Sequence, residues 1–165
     1  MPSPAVTAAP GARPARRVLA VNFAACILLL IQYLLGMAVN LYVSLPGHHP
    51  GAGAGDYFTG AASGLAWVIP NGPAWAAVHA ALGLALVVAA FAAVVVTRRS
   101  GSRTVAVTST LGALAIVGAG FNGLSFLDYG HAFSSMIMAG LWALAVACYL
   151  TGMLVAGRRS GQEST

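Results

Sequence analysis

The stretch that decides the fold is 75–127, WAAVHAALGLALVVAAFAAVVVTRRSGSRTVAVTSTLGALAIVGAGFNGLSFL. It contains two long apolar runs, 75–96 and 104–127, separated by a short connection that carries three arginines. Each run is long enough to cross a hydrocarbon layer of about 30 Å as an α-helix that rises about 1.5 Å per residue. The stretch therefore predicts two antiparallel membrane-spanning helices joined by a tight polar turn.

Two further apolar runs flank this pair, at 18–43 and 132–156. The chain as a whole is 59% hydrophobic and only 7% charged, whereas about a quarter of the residues of an ordinary soluble domain are charged. The runs are too long, and too poor in alternating polar residues, for the strands of a membrane β-barrel. We therefore predict an all-α integral membrane protein with four transmembrane helices in an up-down bundle.

The basic residues predict the orientation of the four spans. All eight are arginines, and each lies before the first span, between the second and third spans, or after the fourth span: Arg13, Arg16, Arg17, Arg98, Arg99, Arg103, Arg158 and Arg159. Because arginine and lysine accumulate in cytoplasmic loops, both termini are expected in the cytoplasm, and the protein is expected to be a multi-pass protein of the plasma membrane. The loop 46–73 and the turn 128–131 then lie outside.

The terminal segments 1–17 and 157–165 lack apolar periodicity, and we expect them to be a disordered cytoplasmic N-terminus and a cytoplasmic tail. The formal net charge of +5 does not indicate nucleic acid as a partner, because each arginine group lies at the end of a span without interleaved aromatic residues. The expected partners are the lipid bilayer and either a larger membrane complex or further copies of the chain.

The long outer loop carries its own prediction. Its first part is rich in glycine and proline, while residues 61–69 are more apolar and end at Pro70. Trp67 and Trp75 are of the residue type that anchors to lipid headgroups. We expect a short interfacial helix over 61–68 that covers the outer mouth of the bundle.

Stripes of small and polar residues predict which helix faces turn inward, because small side chains allow helices to approach closely within a membrane. Each span has one such stripe: Asn22, Cys26, Leu29, Tyr33, Gly36 and Asn40 in the first; Ala81, Ala85, Ala89 and Ala93 in the second; Thr108, Gly112, Ala115, Ala119 and Asn122 in the third; Ala139, Ala143, Ala147 and Thr151 in the fourth.

His79 is the residue in these spans that most directly suggests chemistry, because an ionisable side chain within a membrane is costly and usually faces the bundle interior. Gly83 lies one turn further on the same face and leaves room for a planar ligand. With His131 at the start of the fourth span, His79 suggests a haem b held by two histidines at the outer side. The alternative is a hydrogen bond between helices, from His79 to Asn40, Asn122 or Ser125, with no cofactor.

A second metal hypothesis places copper or zinc at the outer face. His48, His49 and Asp56 lie in the outer loop, and Met136 or Met138 could complete a copper site. The spacing matches neither the C-x-x-C nor the H-E-x-x-H pattern of zinc proteins. The two cysteines, Cys26 and Cys148, are interpreted as small buried apolar residues.

No Asp, Glu, Lys or Arg falls within the predicted spans, which disfavours a proton-coupled or cation-coupled transporter. Packing and topology account for the other polar residues. The first functional interpretation is therefore a structural or accessory component of a membrane complex, without evident catalytic machinery. The alternatives are the haem b redox or haem-handling protein and the copper or zinc protein described above.

Overall fold

A computed structural model describes residues 12–130 and 132–162, with side chains for 15–130 and 133–159. In this part of the chain every regular element is an α-helix: α1 (Ala12–Tyr42), α2 (Tyr57–Asn71), α3 (Ala74–Arg98), α4 (Arg103–Tyr129) and α5 (Ala132–Gln162). Four helices are long and apolar enough to cross a membrane, with spans at Ala15–Tyr42, Ala74–Arg98, Arg103–Tyr129 and Phe133–Arg159. The predicted all-α class and the four spans are confirmed.

The first and last helices are longer than the predicted spans. Helix α1 begins at Ala12, so residues 12–17 are helical although the sequence predicted a disordered segment over 1–17. Helix α5 continues to Gln162, into the predicted tail. The rest of the predicted N-terminal segment, residues 1–11, lies outside the described residues.

The four long helices form an up-down bundle in which each packs against two neighbours. Helix α1 contacts α3 and α5, and α4 contacts α3 and α5, which leaves α1 opposite α4 and α3 opposite α5. The turn between α3 and α4 is closed by Ser102, whose hydroxyl caps α4 by accepting a hydrogen bond from the Val105 amide at 3.4 Å. All eight arginine positions lie at the end of the bundle that contains this turn, which we call the arginine end.

The opposite end, which we call the α2 end, carries the helix that interrupts the long loop. Helix α2 covers fifteen residues and packs against α3 and α4. Asp56 is its N-cap, and the Asp56 carboxylate accepts a hydrogen bond from the Thr59 amide at 2.7 Å. Hydrogen bonding by the Thr59 side chain, and then by its amide, stabilises the ionised carboxylate and lowers the pKa of Asp56 below its ordinary value. The helix predicted over 61–68 is therefore present and is longer at both ends.

The core is concentrated toward the arginine end. Its main cluster runs from Leu29 and Leu86, near the middle of α1 and α3, to Tyr149 on α5, which is completely buried. Gly112 on α4 makes room for the tyrosine ring, because a Cβ there would lie 3.1 Å from two ring carbons. A smaller cluster of Val18, Val105 and Ala156 closes this end of the bundle.

The predicted inward stripes are correct for α4 and for the first half of the stripe on α1, where Asn22, Cys26 and Leu29 are buried. The stripe on α5 is wrong, because Ala139, Ala143, Ala147 and Thr151 are all exposed. Its buried face lies about half a turn away, on the opposite side of the helix, and contains Ala145, Cys148, Tyr149, Gly152 and Ala156. Ala81 and Ala85 of the α3 stripe are likewise exposed. Alanine is small enough for either side of a membrane helix, so its spacing alone does not identify the packed face.

Candidate functional site

At the α2 end of the bundle a half-open cavity of about 410 Å³ lies between the four long helices. Leu65 and Val68 of α2 line one side of it. Ligand-binding cavities in proteins commonly have volumes of about 300–1,000 Å³ and mostly apolar walls. Among the described residues that line this cavity, none is charged. The cavity therefore has the size and the apolar character of a small-molecule site.

Two polar side chains in the wall of the cavity contact each other across α1 and α3. The Gln32 side-chain amide nitrogen donates a hydrogen bond to the backbone oxygen of His79 at 3.1 Å. The same nitrogen lies 3.3 Å from Nε2 of the His79 ring. This pair explains how an ionisable residue is accommodated one turn and a half into a membrane-spanning helix.

Glycines on both helices make this contact sterically possible. A Cβ at Gly36 on α1 would lie 3.0 Å from Cε1 of His79, and a Cβ at Gly83 on α3 would lie 3.2 Å from the Gln32 amide nitrogen. Gly83 was predicted to leave room for a planar ligand. In the structure the Gln32 amide lies in that space instead. The predicted partners of His79, namely Asn40, Asn122 and Ser125, are also replaced by Gln32.

The hydrogen bonds of the pair are incomplete. Nδ1 of His79 and Oε1 of Gln32 are both buried and have no hydrogen-bond partner among the described residues. A buried polar atom without a partner costs about 1–3 kcal/mol. Two side chains that line the cavity and touch each other therefore each carry one buried, unsatisfied polar atom.

An aromatic pair forms another part of the wall. The Trp142 indole on α5 donates a hydrogen bond from Nε1 to the backbone oxygen of Leu29 at 2.8 Å. Tyr33 stacks on the indole with ring centroids 4.6 Å apart. These contacts hold α5 against α1 at the cavity. The fluorescent Trp142 side chain is therefore part of the cavity lining.

The proposed haem ligands can be compared with this geometry only in part. His131 lies outside the described residues, so its distance from His79 is not defined. Nε2 of His79, the usual haem-ligating atom, lies 3.3 Å from the Gln32 amide nitrogen. Haem ligation by His79 would therefore require Gln32 to move, and it stays a prediction.

The residues of the copper or zinc hypothesis each have other surroundings. His48 is exposed, and Asp56 caps α2. The two ring nitrogens of His49 lie 3.0 Å from the Pro50 oxygen and 3.1 Å from the Leu127 oxygen, and the ring stacks on Trp67. Within the described part of the chain, no three His, Cys, Asp or Glu side chains lie close enough together to hold a metal ion.

Asp128 is a buried residue whose environment the sequence did not indicate. The apolar run and the following glycine placed it in a turn, but it belongs to the last turn of α4 and is only 5% exposed. Its carboxylate lies against α2, where a Cβ at Gly60 or Gly64 would be 3.1 or 3.0 Å from an oxygen. The pair of glycines four residues apart in the loop is the signal that could have indicated such a close approach.

Comparison with known proteins adds no further assignment to this site. The chain matches no protein-family model, no curated protein and no solved structure.

Proposed function

We propose that this protein binds a neutral lipophilic molecule in the cavity at the α2 end of the bundle. The observation that carries the proposal is the combination of an apolar cavity of about 410 Å³ with two lining residues, Gln32 and His79, that each carry an unsatisfied polar atom. The apolar lining favours a hydrophobic ligand, and the polar atoms favour one that also carries a hydrogen-bonding group.

The charge distribution favours a neutral ligand over an anionic lipid. Every arginine position of the chain lies at the other end of the bundle. A carboxylate or phosphate in the cavity would lose its hydration without gaining a cationic partner, which is strongly unfavourable in an apolar environment. The ligand is therefore a molecule that partitions into the hydrocarbon region before it enters the protein.

Trp142 supplies the test. In a variant with Trp67→Phe and Trp75→Phe, Trp142 is the single tryptophan of the chain, and bromododecane quenches indole fluorescence on contact. In lipid nanodiscs we expect quenching that saturates and is reversed by unbrominated dodecane. Quenching that rises linearly with the probe, as for an indole exposed to bulk lipid, would contradict the proposal.

Two glycines provide a matched pair of controls. A Cβ at Gly120 or at Gly140 meets no atom within 4 Å, but of the two only Gly120 lines the cavity. Gly120→Leu should weaken probe binding by about tenfold, since a side chain in the cavity competes with the ligand. Gly140→Leu should leave it unchanged. Equal effects of the two substitutions would mean that the probe binds elsewhere.

The same preparation addresses the other functional predictions. A role as an accessory component of a larger complex predicts that further membrane proteins co-purify after gentle solubilisation, and self-association predicts a particle larger than one chain. Haem b ligation predicts a Soret band that is lost in His79→Ala. These roles are compatible with a ligand cavity, and each has its own readout.

We also propose the plasma-membrane orientation with both termini in the cytoplasm and with α2 at the outer surface. The clustering of arginines at one end supports it through the positive-inside rule. A cysteine introduced at Gly53, in the exposed loop before α2, should react with a membrane-impermeant maleimide on intact cells. One introduced at Gly101, in the turn between α3 and α4, should react only after the cells are opened.

A further inference from the structure

The structure assigns a hydroxyl group to the ligand: we infer that the cavity at the α2 end recognises a lipophilic alcohol through Gln32 and His79. The inference rests on the proposed function and adds the chemical class of the molecule that is bound. It follows from which atom of each side chain is already engaged and which is left without a partner.

The hydrogen-bond network determines the tautomer of His79. The Gln32 amide nitrogen carries two hydrogens and accepts none, so the ring nitrogen 3.3 Å away must act as the acceptor. Nε2 of His79 is thus unprotonated, and the neutral ring carries its hydrogen on Nδ1. The opposite orientation of the amide would place its oxygen 3.1 Å from the backbone oxygen of His79, which is repulsive.

The two unsatisfied atoms are therefore of opposite kinds. Nδ1 of His79 is a donor that lacks an acceptor, and Oε1 of Gln32 is an acceptor that lacks a donor. A hydroxyl is the smallest neutral group that offers both an acceptor oxygen and a donor hydrogen. A ketone or ester accepts only, and it would leave the Gln32 oxygen unsatisfied. An alkane satisfies neither atom.

The steric surroundings favour a compact polar group. The His79 ring lies close to the backbone of α1 at Gly36, and the Gln32 amide lies close to α3 at Gly83. Both unsatisfied atoms are covered by neighbouring atoms, so a ligand reaches them only when the Gln32 or His79 side chain moves, and a small polar group requires the smallest movement.

Three brominated probes of equal chain length test the inference: bromododecanol, a bromododecanone and bromododecane. Each is titrated against the single-tryptophan protein in nanodiscs, with concentrations expressed per lipid. We expect all three to bind, with the ketone about threefold to tenfold tighter than the alkane, because it accepts one hydrogen bond. The alcohol should bind tighter than the ketone by a similar factor, because it makes two.

Two substitutions of His79 separate recognition from a merely structural role. An asparagine amide can place a donor near the position of Nδ1, so His79→Asn should keep the preference for the ketone over the alkane. His79→Phe should abolish that preference while the alkane still binds. In the unsubstituted protein labelled with ¹⁵N-histidine, saturating bromododecanol should shift the Nδ1 resonance of His79, whereas bromododecane should not.

The outcomes distinguish recognition of a hydroxyl from the proposed function, which is binding of a lipophilic molecule in the cavity. If none of the three probes gives saturable quenching, the proposed function fails. If all three bind with equal affinity, or if His79→Phe leaves their order unchanged, the cavity binds lipophilic molecules without recognising a hydroxyl, and the present inference fails alone.

Discussion

The arginine end and the α2 end of the bundle are built from the same four helices but are packed differently. At the arginine end the helices meet through alanine, glycine and a completely buried tyrosine. At the α2 end they separate around a cavity of about 410 Å³ whose wall contains His79 and Gln32. The difference indicates that one half holds the bundle together, which leaves the other half free to carry a binding site.

Both ends contain buried polar atoms, so polarity alone does not distinguish them. At the arginine end Asn22 is completely buried and donates from Nδ2 to the backbone oxygen of Tyr149 at 3.4 Å. The Tyr149 hydroxyl has no hydrogen-bond partner among the described residues. What distinguishes the α2 end is that its unsatisfied atoms lie on residues that line a cavity, next to space for a ligand.

The largest expected effect is at Tyr149. Tyr149→Ala removes a buried aromatic ring from the packed half and should lower the free energy of unfolding by about 4 kcal/mol. Tyr149→Phe keeps the ring and removes the unpartnered hydroxyl, so it should be neutral or stabilising by up to about 1 kcal/mol. Reversible unfolding in mixed micelles of mild detergent and dodecyl sulfate measures both. If Tyr149→Phe were as harmful as Tyr149→Ala, the hydroxyl would have a partner that the present contacts do not include.

The next effect tests how tightly the arginine end is packed. A Cβ at Gly152 would lie 2.6 Å from Nδ2 of Asn22 and 3.2 Å from Oγ1 of Thr108, whereas a Cβ at Gly157 on the same helix meets nothing within 4 Å. Gly152→Leu should therefore lower the free energy of unfolding by about 3 kcal/mol through overpacking, and Gly157→Leu should not lower it. The same unfolding assay applies, and equal stability of the two variants would mean that this half is as loosely packed as the other.

At the α2 end the effects on stability should be smaller and coupled. Gln32→Leu leaves Nε2 and the backbone oxygen of His79 without this donor and should cost about 1–2 kcal/mol. Adding His79→Phe removes the ring nitrogens as well, so the double variant should be more stable than Gln32→Leu alone. A double-mutant cycle of the two substitutions measures this coupling. Strictly additive losses would show that the pair contributes no interaction of its own.

The smallest effect concerns the start of α2 and depends on pH. Hydrogen bonds from the Thr59 side chain and amide lower the pKa of Asp56, so the contribution of this cap is fully present above the ordinary aspartate pKa of about 3.8 and is lost as the pH falls through the lowered value. The Thr59 amide proton should shift over this acidic range in an NMR titration. Asp56→Asn keeps a good capping residue and should abolish the titration. A Thr59 shift that persists in the variant would assign the titration to another group.

Much of the fold could be predicted from the sequence because the bilayer sets the length of each span. The runs 18–43, 75–96, 104–127 and 132–156 each correspond to a helix, and the connection with Arg98, Arg99 and Arg103 corresponds to the turn between α3 and α4. The helix faces were less predictable. The exposed alanines of α5 have the same four-residue spacing as a packed stripe, and only the positions of the neighbouring helices separate the two cases.

Of the two polar residues in the candidate site, the sequence predicted only His79. A histidine inside a span directs attention to His79 on energetic grounds alone, since burial of an ionisable group requires an explanation. Its partner Gln32 lies forty-seven residues away in the chain, and nothing in the spacing of α1 and α3 indicates that these two residues lie at the same depth. Asp128 was missed for a similar reason, because its burial depends on the glycines of α2.

The sequence by itself thus determined the class of the protein, the number of its spans and the segregation of its arginines, because each of these depends on the chain's preference for hydrocarbon or for water. Only the tertiary structure decided which faces meet, that His79 pairs with Gln32, and that the bundle opens into a cavity at one end. Those features depend on the register and rotation of helices that are distant in the chain, and local composition does not specify either.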